Sequence, residues 1–303
     1  MGRRPQDEQA ALVALLQTRP KGLRWPEIAA EVLEVGSAVE VWHQLVPATL
    51  IGPQGQADAF ESAAQDINRW ANEGSTLVTI LDGDYPARLR GIHQAPPVLF
   101  VRGTLIADDS AVSVVGSRKA SDRGLAIAVG MAHELVSRGV TVVAGLAVGI
   151  DTAAHRTALA DGGRTVAIIG TGINKAYPAE NRELHKEIAS RGLLLSQFWP
   201  DAPPQRQNFL MRNATMSGYG LATVVVEAGE QSGARAQARM AVEHGRPVVL
   251  TDLVVEQNEW ARALVDRPGV YVADSLRSAL ESIDHLLAER ATVGAELRRF
   301  VSA

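Results

Sequence analysis

From Thr76 onward the chain repeats one pattern: a short, nearly continuous run of β-branched and aliphatic residues, then a stretch with helical spacing, then another run. The runs are Leu77–Leu81, Val98–Val101, Ala111–Val115, Val140–Ala144, Thr165–Ile169, Leu193–Leu195, Ala222–Val226, Pro247–Leu250 and Val270–Val272. Helical spacing fills Gly124–Arg138, Asp151–Ala160, Ala179–Ser190, Gly233–His244 and Ser275–Glu289. Strands that are apolar on both faces and alternate with helices belong in a parallel sheet covered on both sides. The expected fold is therefore α/β, an extended Rossmann-like, doubly wound, mostly parallel sheet. Ahead of it, Ala11–Gln17, Trp25–Val35, Ala38–Leu45 and Ala57–Asn72 read as short helices, broken by Pro20, Gly36 and Pro47. Linker signals fall at Gly52-Pro53-Gln54-Gly55 and Asn72-Glu73-Gly74-Ser75. The expected organisation is a small all-helical N-terminal domain at 1–74, the Rossmann-like domain at 75–290 and a helical tail at 291–303. The stripe Leu276, Ala279, Leu280, Ile283 and Leu287 is expected to pack on the sheet.

In doubly wound sheets, ligands sit beyond the carboxyl ends of the strands. Four such ends carry glycine-bearing loops here. The first is Gly116-Ser117-Arg118-Lys119, with Ser121 and Gly124 at the start of a helix. The second is Gly145-Leu146-Ala147-Val148-Gly149-Ile150-Asp151, with His155 one turn on. The third is Gly170-Thr171-Gly172-Ile173-Asn174-Lys175. The fourth runs from Glu227 to Ser232-Gly233. A glycine turn between strand and helix lets backbone N–H groups and a helix N-terminus approach an anion. Hydroxyls and cations beside it suit a phosphate. Four such loops on one rim point to a shared ligand that the backbone approaches closely.

Other chemistries are less well served. Gly170-Thr171-Gly172 begins a dinucleotide fingerprint, but Lys175 stands where its third glycine would be, and no Walker pattern occurs. Asp151 reads as a helix N-cap, with His155 within reach of its carboxylate. His133-Glu134 lacks a second histidine, so no metal site is expected, and no cofactor is implied. Glu227 is open to three roles: base, ribose ligand or structural partner of Arg212. The 303 residues include no cysteine, which excludes disulfides and thiol chemistry. No apolar run approaches the roughly 18–20 residues of a membrane span, and the N-terminus lacks a signal-peptide core. A cytoplasmic protein with no membrane partner is expected. Net charge is −4. A whole-surface basic nucleic-acid binder is thereby disfavoured, and any such site must be a local pocket built from cations such as Arg118, Lys119, Arg123, Lys175, Arg182, Arg206 and Arg212.

Taken together these residues resemble the DNA-processing protein A (DprA/Smf) family. The resemblance runs from about Thr79 to Leu250. Asp84-Tyr85-Pro86 and Pro96-Pro97-Val98-Leu99-Phe100-Val101-Arg102-Gly103 are similar to its lead-in, and Val115 to Ser121 with Gly124 to its phosphate loop. Ala144-Gly145-Leu146-Ala147, Gly149-Ile150-Asp151 and Ala154-His155 resemble its longest signature. Gly170, Gly172, Tyr177-Pro178, Asn181, Arg212-Asn213, Val226-Glu227-Ala228 and Ser232-Gly233 continue it. The resemblance implies single-stranded DNA binding, a homodimer and assistance in loading a RecA-type recombinase, with no enzymatic activity. It places DNA or phosphate contacts at Gly116, Ser117, Arg118, Lys119, Ser121, Gly145, Gly149, Gly170, Gly172, Lys175, Asn181, Arg212, Asn213, Glu227, Ser232 and Gly233.

The chain also departs from the family pattern. Arg-Asn-Arg is here Arg212-Asn213-Ala214, and Leu210 replaces a proline. Leu-Ser-Glu is Leu195-Ser196-Gln197, and the helix start Ser-Gly-Ser-Leu is Ser232-Gly233-Ala234-Arg235. Leu250-Thr251-Asp252 stands for Val-Pro-Gly, and no winged-helix domain is expected at the end. The alternative function is a nucleotide-binding sensor or a phosphoribohydrolase-like enzyme using the same rim. That enzyme's Pro-Gly-Gly-x-Gly-Thr loop is missing from the sequence.

Overall fold

The computed structural model describes residues 5–46 and 48–301, with side chains placed for 5–46 and 54–292. All nine expected strands form: β1 (Thr76–Thr79), β2 (Val98–Gly103), β3 (Ala111–Gly116), β4 (Thr141–Ala144), β5 (Thr165–Ile168), β6 (Leu193–Ser196), β7 (Ala222–Glu227), β8 (Val248–Thr251) and β9 (Val270–Ala273). Within each of the two units described below, pairing is parallel except where β2 meets β1 and β6. The fold is the α/β Rossmann-like sheet that the alternating runs predict.

The chain divides into two compact units, Met1–Asp109 with Val166–Tyr219, and Ser110–Thr165 with Gly220–Ala303. In the second, strands run in the order β4-β3-β7-β8-β9. Val112, Val114, Val142, Val224 and Val226 lie on one face of these strands. They pack with Ala128, Met131, Ala132 and Leu135 of the Asp122–Ser137 helix and Ala154 and Ala158 of the Ile150–Ala160 helix. The Leu276–Val301 helix closes this core with Ala279, Leu280 and Ile283, and Leu276 and Leu287 flank them, so the stripe packs inward as its spacing predicts. The helix continues through most of the expected 291–303 tail; residues 302 and 303 lie outside the described residues.

In the first unit β1, β2, β6 and β5 are neighbours in that order. The N-terminal helices Pro5–Thr18, Trp25–Val35, Ala38–Leu45 and Ala48–Asn72 form as the apolar spacing predicts. Glu8 fixes the entry to the third. Its carboxylate accepts from Ser37 Oγ (2.8 Å) and from the Ala38 and Val39 N–H groups (2.6 and 3.2 Å). It thereby satisfies donors that a helix start leaves open.

One expectation is corrected and one element is new. Gly52-Pro53-Gln54-Gly55 is not a linker; the Ala48–Asn72 helix runs through it. Pro47, the expected breaker, lies outside the described residues. The new element, Arg206–Tyr219, is a helix of 14 residues that periodicity does not reveal. From Arg212 to Tyr219 every residue is buried, polar ones included, so no apolar stripe alternates with a wet face.

Candidate functional site

Three of the four glycine loops belong to the second unit, and backbone chemistry ties them together. Between Val115 and Gly116 the β3–β7 register shifts, so that Gly116 stands opposite Glu227. A Cβ on Gly116 would meet Ile150 Cγ1 at 2.6 Å and the Glu227 carbonyl oxygen at 2.8 Å, so only glycine lets these segments approach. The Ile150 N–H donates to the Ser117 carbonyl (3.2 Å). Gly149 makes this possible: its φ of 82° and ψ of −126° lie where side chains are strained, and a Cβ there would overlap the Ser117 carbonyl.

Side chains then fix the loops. The Ser117 hydroxyl accepts from the Lys119 N–H (3.0 Å). Ser121 caps the Asp122–Ser137 helix, accepting from Gly124 N–H (3.0 Å). The same hydroxyl donates to Glu227 Oε2 (2.8 Å), and the Ser121 N–H reaches that oxygen at 3.0 Å. Glu227 is therefore the partner of Ser121, with its carboxylate packed over Gly124. A Cβ there would displace the Glu227 carboxylate from its place. Asp151 is not the N-cap; Gly149 holds that place. The Asp151 carboxylate instead accepts from the Gly145 and Ala147 N–H groups (3.0 and 3.2 Å), closing the β4 loop on itself. His155 is fully buried, with Nδ1 2.7 Å from Thr165 Oγ1.

What this scaffold presents outward is Arg118 and Lys119, both exposed beyond the end of β3. Arg123, also exposed, is paired with Asp252 at 2.5 Å. Beyond β7, Ser232 caps the Gly233–Glu243 helix by accepting from Arg235 N–H (3.2 Å). Gly233 and Arg235 are exposed there.

The remaining expected residues lie in the first unit. Gly170 sits under the Phe209 ring, whose Cδ1 would be 2.5 Å from a Cβ. Gly172 is clasped by the loop after β6: its N–H donates to the Ala202 carbonyl (2.9 Å), and a Cβ would overlap the Trp199 and Pro200 carbonyls. Lys175 is exposed, with Nζ 3.4 Å from Asp201 Oδ1. Asn181 is buried, and its N–H donates to the Pro178 carbonyl (3.1 Å). Arg212 is not a surface cation. It is 7% exposed, Nη1 donates to the Ile168 carbonyl at the end of β5 (2.6 Å), and Nε donates to Asn213 Oδ1 (3.2 Å). Asn213 is likewise buried. Among the described residues, no three histidine, aspartate or glutamate side chains gather as a metal site requires.

Known proteins resemble this chain. Residues 76–267 match the family described as DNA recombination-mediator protein A. The chain belongs to this family. Protein Smf of Synechocystis is 35% identical over 224 residues, covering 72% of this chain and 55% of that protein. The DNA processing protein DprA of Streptococcus pneumoniae is 40% identical over 175 residues, covering 56% and 60%. The chain thus spans little more than half the length of these curated relatives. Among solved structures, DprA from Streptococcus pneumoniae superposes with a TM-score of 0.70 at 28% identity, over 92% of this chain and 98% of that one. DNA processing protein A from Helicobacter pylori gives 0.62 at 22% identity over 71% and 96%, a likeness of fold. In this member of the DNA recombination-mediator family, Val115 to Ser121 form the turn that Glu227 and Gly149 hold.

Sequence reasoning did not find the Glu227–Ser121 bond, the Asp252–Arg123 pair, or the clasp of Gly172 by the loop after β6. Each joins residues far apart in the chain, and no local spacing encodes them.

Proposed function

We propose that the chain binds single-stranded DNA through its rim loops and serves in DNA processing during recombination and transformation. The observation that supports this best is the β3 turn. Its backbone is fixed by Ser117, Ser121, Glu227 and Gly149, while Arg118 and Lys119 remain exposed. A rigid turn that spends its polar groups on itself and offers two cations suits a repeating phosphate backbone. The family name points the same way, and the Helicobacter pylori relative is described by its single-stranded DNA binding mode. By the same resemblance the working form is a homodimer in the cytoplasm that assists loading of a RecA-type recombinase. No catalytic step is assigned. Among the described residues, no helix is long and apolar enough to cross a membrane.

Labelled oligothymidine, single- against double-stranded, tests the reading by fluorescence anisotropy. The single strand is expected to bind more tightly. Arg118→Ala is expected to weaken all sequences alike by roughly fivefold, the scale of one lost phosphate contact. Failure to bind the single strand at low salt would overturn the proposal. The alternative, a nucleotide-directed hydrolase, requires free base from nucleoside monophosphates at a rate that Glu227→Gln abolishes. The engagement of Glu227 by Ser121 weighs against that role.

A further inference from the structure

The loop that carries Lys175 is held from a direction the rim chemistry does not require. Its backbone is tied to the loop after β6 by the Gly172 N–H to Ala202 carbonyl bond and by the Asn174 N–H to Pro200 carbonyl bond, both 2.9 Å. Lys175 itself is locked in that turn: its N–H donates to the Gly172 carbonyl (2.9 Å) and its carbonyl accepts from Thr171 Oγ1 (2.8 Å). The Trp199 side chain anchors the loop after β6 in turn. The Trp199 ring meets Trp25 edge-on at 4.9 Å, stacks on Trp70 at 5.5 Å and 28°, and meets Phe100 at 5.9 Å. Trp25 and Trp70 stand on N-terminal helices, Trp25–Val35 and Ala48–Asn72.

A polar tie runs beside the aromatic one. Asn174 Nδ2 donates to Glu73 Oε2 (3.1 Å), just beyond the Ala48–Asn72 helix, and to Asp201 Oδ1 (3.3 Å). Arg102 Nη2 donates to Asn174 Oδ1 and to the Glu73 carbonyl (3.1 Å), and Nε donates to Ser75 Oγ (3.2 Å). Both ties end on residues adjoining Lys175. Among the described residues its ammonium pairs only with the exposed Asp201, and a surface pair of this kind is weak enough for a phosphate to displace it. Three ring contacts hold the loop against one exposed ion pair, so its place is held more firmly than the charge it carries.

We propose that Trp199 is a positioning residue: through it, with Asn174 alongside, the N-terminal helices set where Lys175 meets a nucleic-acid phosphate. This rests on the single-stranded DNA reading above. It gives the helical segment a part in binding without any contact of its own to the strand.

The test is a double-mutant cycle on the full chain, read by oligothymidine anisotropy over a salt series. Trp199→Ala is expected to weaken binding roughly three- to tenfold and to reduce the salt slope by about 0.7, the share of one phosphate. In a Lys175→Ala background the same change is expected to cost nothing further. Trp199→Phe keeps a ring in the cluster and is expected to restore affinity and slope. If Trp199→Ala does not fold cooperatively by circular dichroism, Asn174→Ala, which removes little buried volume, carries the same cycle. Losses that add to that of Lys175→Ala, or an unchanged slope, would overturn the positioning role while leaving DNA binding intact. An unsubstituted chain that ignores oligothymidine would overturn both.

Discussion

Glu227 ends an apolar strand, and its acid group would draw notice in any search for catalysis. The structure gives it a different task. One oxygen receives both the N–H and the hydroxyl of Ser121, and that hydroxyl also caps the helix through Gly124. Removing the carboxylate would leave the exposed Ser121 donors to water and free the β3 turn. Glu227→Ala is therefore expected to lower unfolding free energy by about 0.5–1.5 kcal/mol, measured by urea titration, the net scale of a hydrogen bond whose donors water can reach. Glu227→Gln keeps an acceptor and is expected to lose less. The reverse order of the two variants would show that charge at this position, not acceptance from Ser121, matters.

Among the elements, the Arg182–Arg191 helix holds a group at odds with its surroundings. His185 is buried, and its Nε2 has no hydrogen-bond partner among the described residues. Burial, and then the nearby Arg102 cation, push its imidazole down to about 4. Above pH 6.5 the ring is neutral whether the chain is folded or not, and it contributes nothing to pH dependence. As pH falls from 6.5 toward 4, the unfolded chain takes up a proton that the folded one refuses, so stability declines by up to about 3 kcal/mol. His185→Leu is expected to flatten that decline in urea midpoints measured between pH 7 and 4; an unaltered slope would refute it. Legibility in the sequence follows the same physics of burial. All nine strands could be read because each run is apolar on both faces. The Arg206–Tyr219 helix could not, because its buried residues include Asn208, Arg212, Asn213, Thr215 and Ser217. The glycine turns of the site were visible as turns. Their partners were not: Ser117 against Gly149, Ser121 against Glu227 and Trp199 against Gly172 are pairs that only the fold brings together. Arg212 looked like a surface cation because nothing nearby in sequence announces the Ile168 carbonyl it serves.

For the whole molecule, charge sets the terms on which a polyanion can be bound. The chain carries 30 basic and 34 acidic residues, a net of −4, so its overall field repels nucleic acid. Attraction must come from a few cations held close to the strand. Some candidates are held by the protein itself: Arg123 pairs with Asp252, Lys175 with Asp201, and the buried Arg212 donates to the Ile168 carbonyl. Arg118, Lys119, Arg123, Lys175, Arg206 and Arg235 are exposed on or beside the glycine loops. Two to four phosphate contacts imply a plot of log affinity against log salt with a slope of about −1.4 to −2.8 on single strands. That is shallow for a nucleic-acid binder. Association is also expected to be slower than for a basic protein, because steering at long range is absent. The salt series on oligothymidine reads the slope directly. A markedly steeper value would mean that cations outside these loops, or a second copy of the chain, share the strand. A slope near zero would mean that contacts to the bases, not the phosphates, carry the affinity.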